Sequence, residues 1–74
     1  MFTIHMESVV SSNLKAVGYD PLQSLLRIEF NNGSIYEYFG VPQSIYQGLK
    51  NAPSKGSFHH TFIRNGGFSY RRIV

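Results

Sequence analysis

The 74 residues contain no cysteine, which excludes a disulfide framework and any thiolate-ligated zinc site. Charge is scarce, at 15% of residues against a usual ~25%. Acids are the scarcest: Glu7, Asp20, Glu29 and Glu37 are all there are, and none lies beyond position 37. Long apolar runs are missing, and nothing approaches the ~18 residues of a membrane-spanning helix. Met1 to His5 lacks the basic-then-apolar order of a signal peptide. These absences point to a cytoplasmic protein with no membrane span. Length is the last shortage. A chain of 74 residues allows one domain, and a domain this small buries only about 60% of the surface that its unfolded chain exposes. A core, a cofactor domain and a catalytic lid do not fit together in it.

What is present is a compact domain's composition, with 42% apolar residues and many rings, six Phe and five Tyr. That is not the makeup of a disordered tail. Charge divides unevenly. Residues 1–37 set Lys15 and Arg27 against four acids, a net of −2, whereas residues 38–74 set Lys50, Lys55, Arg64, Arg71 and Arg72 against none, a net of +5. Such a basic half is either an electrostatic footprint for nucleic acid or a solvated face that keeps a small domain dispersed.

The pattern reads as α+β. Met1 to Glu7 has no periodicity and reads as a loose arm, of which Met1 to His5 is expected to be dispensable. Ser12 to Tyr19 is a first strand, with Leu14 and Ala16 on one face and Lys15, Val17 and Tyr19 on the other. Gly18 within it marks a bulge or a close backbone approach. Asp20-Pro21 starts a turn. In Leu25 to Phe30, Leu26, Ile28 and Phe30 alternate with Arg27 and Glu29, as in a half-buried strand. Asn31-Asn32-Gly33 is a hairpin signal, and Ser34 to Phe39 is the third strand of an antiparallel meander.

Loop length decides where Tyr36 and Tyr38 point. A two-residue loop pairs Ile28 with Glu37 and sets a carboxylate in the apolar row. A three-residue loop pairs Ile28 with Tyr36, Leu26 with Tyr38, and Arg27 with Glu37, which matches opposite charges and uses Gly33 at a left-handed position. A one-residue slip flips every side chain. The longer loop is the better match and turns both tyrosines toward the core. The shorter one makes them an exposed stacking platform.

Pro42 suits the start of a helix. Val41, Ile45 and Leu49 follow i, i+4 spacing, with Tyr46 widening the stripe, and Asn51-Ala52-Pro53 ends it. Ser54 is a good N-cap for a second short helix through about Arg64, with Phe58, Phe62 and Ile63 as its apolar face. Asn65-Gly66-Gly67 closes that helix, and Phe68 to Val74 adds a short final strand.

Few residues carry chemistry. His59 and His60 are neighbours, about 100° apart on a helix, with no carboxylate beside them, so no metal site is expected. Asp20 reads as a turn cap and Glu37 as a cross-strand partner. No serine sits in a Gly-x-Ser-x-Gly elbow, and no nucleophile has a base and an orienting group. The expectation is a non-catalytic module without cofactors. Ser54-Lys55-Gly56-Ser57 reads either as plain capping or as a helix start that, with Lys55, favours a phosphate. Arg64, Arg71 and Arg72, with Tyr70, are either a nucleic-acid patch or charges that guard an edge strand.

Tyr19-Asp20, Leu26-x-Ile28-x-Phe30, Gly33, Tyr36-x-Tyr38, Val41-Pro42, Ala52-Pro53-Ser54-Lys55-Gly56-Ser57-Phe58 and Ile63-Arg64 follow one another in an order that resembles the KTSC domain. That family is named after the C-terminus of certain lysyl-tRNA synthetases and also occurs as a stand-alone bacterial or phage protein. The resemblance runs from about Val9 to Arg72. It implies the family's fold and its suggested nucleic-acid binding. Its central Tyr-x-Tyr corresponds to Tyr36 and Tyr38, and its Ser-Lys-Gly segment to Ser54, Lys55 and Gly56. The chain departs from the pattern at His59-His60, where an Asn often follows the aromatic pair.

Two functions are expected on these grounds. One is an RNA-binding module that uses Lys55, Gly56, Arg64, Arg71 and Arg72 for phosphates and Tyr36 or Tyr38 for bases. Arg71 and Arg72 alternate faces, so only one of them should join. The other is a protein-interaction domain that adds a strand or offers a groove to a partner.

Overall fold

The structure, a computed structural model, describes residues 4–74. One antiparallel sheet runs in the order β1-β2-β3-β4-β5, from β1 (Glu7–Ser8) through β2 (Leu14–Asp20), β3 (Leu25–Phe30) and β4 (Ile35–Phe39) to β5 (Ser69–Arg72). Between β4 and β5 come α1 (Gln43–Asn51), α2 (Lys55–Phe58) and a π-helical segment, His59–Arg64, that continues α2. The α+β class, the meander, the two helices and the closing strand are those expected; β1 is an addition. Among the described residues no helix is long and apolar enough to cross a membrane.

The β3–β4 hairpin takes the longer loop. Leu26 pairs with Tyr38, Arg27 with Glu37 and Ile28 with Tyr36. Gly33 sits at φ 90°, a conformation that glycine adopts without steric cost. The apolar row of β3 therefore meets both tyrosines on the helix side, where Leu26 and Ile28 are fully buried. On the opposite side Glu37, only 3% exposed, accepts hydrogen bonds from Arg27 at 2.6 and 3.0 Å and from Arg71 at 3.2 Å.

Two expectations about the first segment are corrected. Leu14 and Ala16 do not share a face, because the β2–β3 register shifts between them. This bulge sends Leu14 into the helix-side core with Val17 and turns Ala16 the other way. Nor are residues 4–7 of the expected arm loose; residues 1–3 lie outside the described residues. Glu7 and Ser8 pair with Val17 and Ala16, and Ile4 is buried. Gly18 is the close approach that admits them: a Cβ there would stand 2.6 Å from the His5 carbonyl and 2.7 Å from Ile4 and Met6. On the helix side, Glu7 meets Lys50 of α1 at 2.9 Å.

Pro42 is the N-cap of α1 and Ala52 its C-cap. Val41, Tyr46 and Leu49 reach the core, as their spacing predicts. Phe58 of α2 lies against Gly48, where a Cβ would meet its ring at 2.7 Å. Ser54 caps α2 by accepting from the Ser57 N–H. Beyond Phe58 the winding widens, and the Asn65 N–H reaches the His60 carbonyl. An i→i+5 ladder brings Ile63 round to the face of Phe58. Ile63 is buried there, and Phe62, expected on that face, packs its ring 4.7 Å from that of Phe58 but stays half exposed.

Candidate functional site

The helix-side rows of β3, β4 and β5 extend past the core and meet the π-helical segment in a groove of about 340 Å³. Its aromatic lining is Phe30, Tyr36, Tyr38 and Tyr70; its polar lining is Asn32, Ser34, His59 and Arg64. Cross-strand register places three rings side by side. Tyr38 lies 5.8 Å from Tyr70 and Tyr36 lies 6.1 Å from it. Tyr38 is buried at the floor, and Tyr70 is 62% exposed at the rim. A second depression shares Phe30, Asn32, His59 and Arg64 and adds Asn13, Asn31, Gly56 and His60, so the groove continues toward the start of α2.

Electrostatics in the groove follow from burial. Tyr38 Oη and His59 Nε2 are 2.9 Å apart. Burial, with the neighbouring Tyr36 and Tyr70, pushes the Tyr38 phenol up to about 12. Burial, with the charge of Arg64 and the adjacent His60, pushes the His59 imidazole down to about 4. Both groups are neutral at physiological pH. Their hydrogen bond engages Nε2 of the neutral ring. Arg64 is the groove's permanent charge. No Asp or Glu is among the residues that line either depression, and Arg64 forms no ion pair among the described residues. Asn32 is held by its own turn: its Oδ1 accepts from the Ser34 N–H at 3.0 Å and from the Ser34 hydroxyl at 2.7 Å.

Residues 10–68 match the KTSC domain family. The chain belongs to that family. It is 48% identical over 62 residues to a lysine–tRNA ligase of Nostoc sp., a match that takes in 84% of this chain and 11% of that protein. It is 38% identical over 63 residues to an uncharacterized protein of Stutzerimonas stutzeri, here 85% of this chain and 89% of the relative. The crystal structure of a KTSC domain protein from Yersinia pestis superposes with a TM-score of 0.88 at 37% identity and covers 97% of this chain and all of that one. This KTSC domain thus spans about a tenth of the length of the lysine–tRNA ligase it matches, and nearly all of the two small proteins.

The fold of the KTSC domain sorts the residues singled out in the sequence. Tyr36, Tyr38 and Arg64 come together in the groove. Arg72 shares the face of Tyr36 by register, and its Nε donates to the Val74 carbonyl at 2.7 Å. Arg71 falls on the opposite face, bound to Glu37 and 5.7 Å from the Phe39 ring. Lys55 turns back onto α1 and donates to the Ala52 carbonyl at 3.2 Å, so it satisfies a helix C-terminus instead of reaching a ligand. Gly56 leaves room for Asn13, whose Nδ2 would be 3.1 Å from an added Cβ. The Ser54–Ser57 segment therefore works as a cap, and Lys55 and Arg71 leave the candidate site. Asn32, His59 and His60 enter it. Asn32 was legible only as a turn residue and the histidines only as an unsuitable metal pair.

Proposed function

We propose that this KTSC domain is a non-catalytic module that binds single-stranded RNA in the groove between the β3–β4–β5 face and the π-helical segment. The observation that carries the reading is the union of aromatic surface, donor groups and one uncompensated cation in a depression without a carboxylate. Rings give a base a stacking surface, and Arg64 meets a phosphate. An acid-free lining suits a polyanion. A homologous segment in proteins named lysine–tRNA ligases supports a ligand of this class, and a cytoplasmic location agrees with it.

The cations on this face number fewer than the sequence implied. Arg64 lies in the groove and Arg72 shares its face, while Lys55 and Arg71 are engaged elsewhere. Two phosphates neutralised on a single strand give log affinity against log salt a slope of about −1.4. A fluorescence-anisotropy titration of a short unstructured RNA at several salt concentrations tests this. Arg64→Ala flattens the slope by about 0.7 and weakens binding, whereas Arg71→Ala leaves both unchanged. RNA affinity that is undetectable at low salt, or equal in wild type and Arg64→Ala, sinks the reading. The protein-interaction alternative would then stand on its own feature, the edge strand β5, exposed at all four residues.

A further inference from the structure

We propose, resting on the RNA reading of the same site, that the groove selects keto-bearing bases, uracil and guanine, over adenine. The Asn32 amide is the selecting group.

The orientation of that amide follows from its partners. The Ser34 backbone N–H lies 3.0 Å from Asn32 Oδ1, and a backbone N–H can only donate, so the oxygen faces it. The Ser34 hydroxyl donates to the same oxygen at 2.7 Å. Ser34 is itself 6% exposed, which shields these bonds from water. Two hydrogen bonds use both lone pairs of Oδ1. What Asn32 offers to the groove is its NH2 alone.

This closes the usual way in which asparagine reads adenine. That pairing is bidentate, with Nδ2 donating to the ring nitrogen and Oδ1 accepting from the exocyclic amine. With Oδ1 occupied, the amine of adenine has no acceptor on Asn32. Its cationic neighbour does not supply one. The Arg64 guanidinium only donates. The His59 imidazole is engaged at Nε2 with the Tyr38 hydroxyl, at 2.9 Å. No carboxylate lines the groove. A base that presents carbonyl oxygens, O4 of uracil or O6 of guanine, pairs with these donors, and Arg64 adds the fork that matches guanine O6 and N7. An amine turned toward Asn32 and Arg64 meets only donors there and is left unpaired by them at a cost.

Hexamers of adenosine, inosine and uridine test this directly. Inosine carries adenine's two-ring frame and N7, with a keto oxygen in place of the amine and a protonated N1, so the comparison keeps the stacking surface and changes the amine-bearing edge. In wild type, inosine and uridine hexamers should bind at least about fivefold tighter than the adenosine hexamer. In Asn32→Asp, Oδ1 still accepts from Ser34 and the turn is kept, but the donor becomes an acceptor. The inosine-to-adenosine ratio should then fall to about one or below, whatever the added charge does to absolute affinity. Equal affinities in wild type overturn the selection while leaving the RNA reading intact, provided that Arg64→Ala still weakens every hexamer. A wild-type preference that survives Asn32→Asp removes Asn32 from the role. Failure of all three hexamers to bind at low salt defeats the RNA reading itself, and the selection with it.

Discussion

Tyr38 Oη lies 2.9 Å from His59 Nε2, a hydrogen bond between the centre of the sheet and the first residue of the π-helical segment. It is made by two groups whose burial keeps each neutral, the phenol pushed up to about 12 and the imidazole down to about 4. The bond ties the floor of the groove to the segment that carries Arg64.

Stability should therefore fall in mild acid. The unfolded imidazole titrates near 6.5 and the folded one near 4, so between these values the unfolded chain holds a proton that the folded chain does not. The stabilisation is fully present above about pH 6.5 and is lost progressively as pH falls through 4; because the ring is only half-buried, solvent screening holds the total to about 1–2 kcal/mol. Urea unfolding of wild type and His59→Gln at pH 7, 5.5 and 4.5 checks this; the variant's stability should hardly change over that window.

Glu37 should account for a separate acid step. Burial pushes its carboxyl up, but hydrogen bonds from Arg27 and Arg71 and their charges outweigh this and hold it below 4.5. Its contribution is present above the unfolded value and is lost at lower pH than that of His59. Glu37→Gln should cost about 2 kcal/mol at pH 7, since it removes charge-assisted bonds from a buried acceptor. Arg71→Ala should cost under about 1 kcal/mol, because the Arg71 side chain is 67% exposed and exposed ion pairs contribute little. Chemical denaturation of both variants separates the two cases.

The N-terminal segment should matter to stability. Ile4 is buried, so Ile4→Ala should cost about 2–3 kcal/mol. Gly18→Ala should cost about 1–3 kcal/mol by forcing the segment off the sheet, and amide exchange at Glu7 and Ser8 should rise. Unchanged exchange in Gly18→Ala would refute the packing of residues 4–6 on Gly18.

Two paired tyrosines should behave differently. Tyr38→Phe removes the hydroxyl bonded to His59 and should cost about 1–2 kcal/mol, while Tyr38→Ala should cost about 3–5 kcal/mol. Tyr70, its cross-strand partner, is mostly exposed, and Tyr70→Ala should cost under about 1 kcal/mol while weakening RNA binding. Denaturation midpoints together with anisotropy titrations distinguish a floor ring from a rim ring.

The β3–β4 hairpin and much of the helical region after it were legible in the residues alone. Asn31-Asn32-Gly33, the alternation of Leu26, Ile28 and Phe30, and the Arg27–Glu37 pairing all act within one hairpin, where turn chemistry and cross-strand neighbours agree. The α1 stripe and the Ser54 cap were legible for the same reason, since each depends on residues within a few turns of one another. Tyr36, Tyr38 and Arg64 were legible as candidates, but not the groove that joins them. Packing between distant segments set the docking of Ile4 on Gly18, the turning of Lys55 onto the end of α1, which of the alternating Arg71 and Arg72 faces the groove, and the assembly of Asn32, His59 and Arg64 around the tyrosines. Each of these depends on which distant segment meets which. A side chain's partner across such a contact is set by packing and charge pairing between elements, and local periodicity holds no record of it.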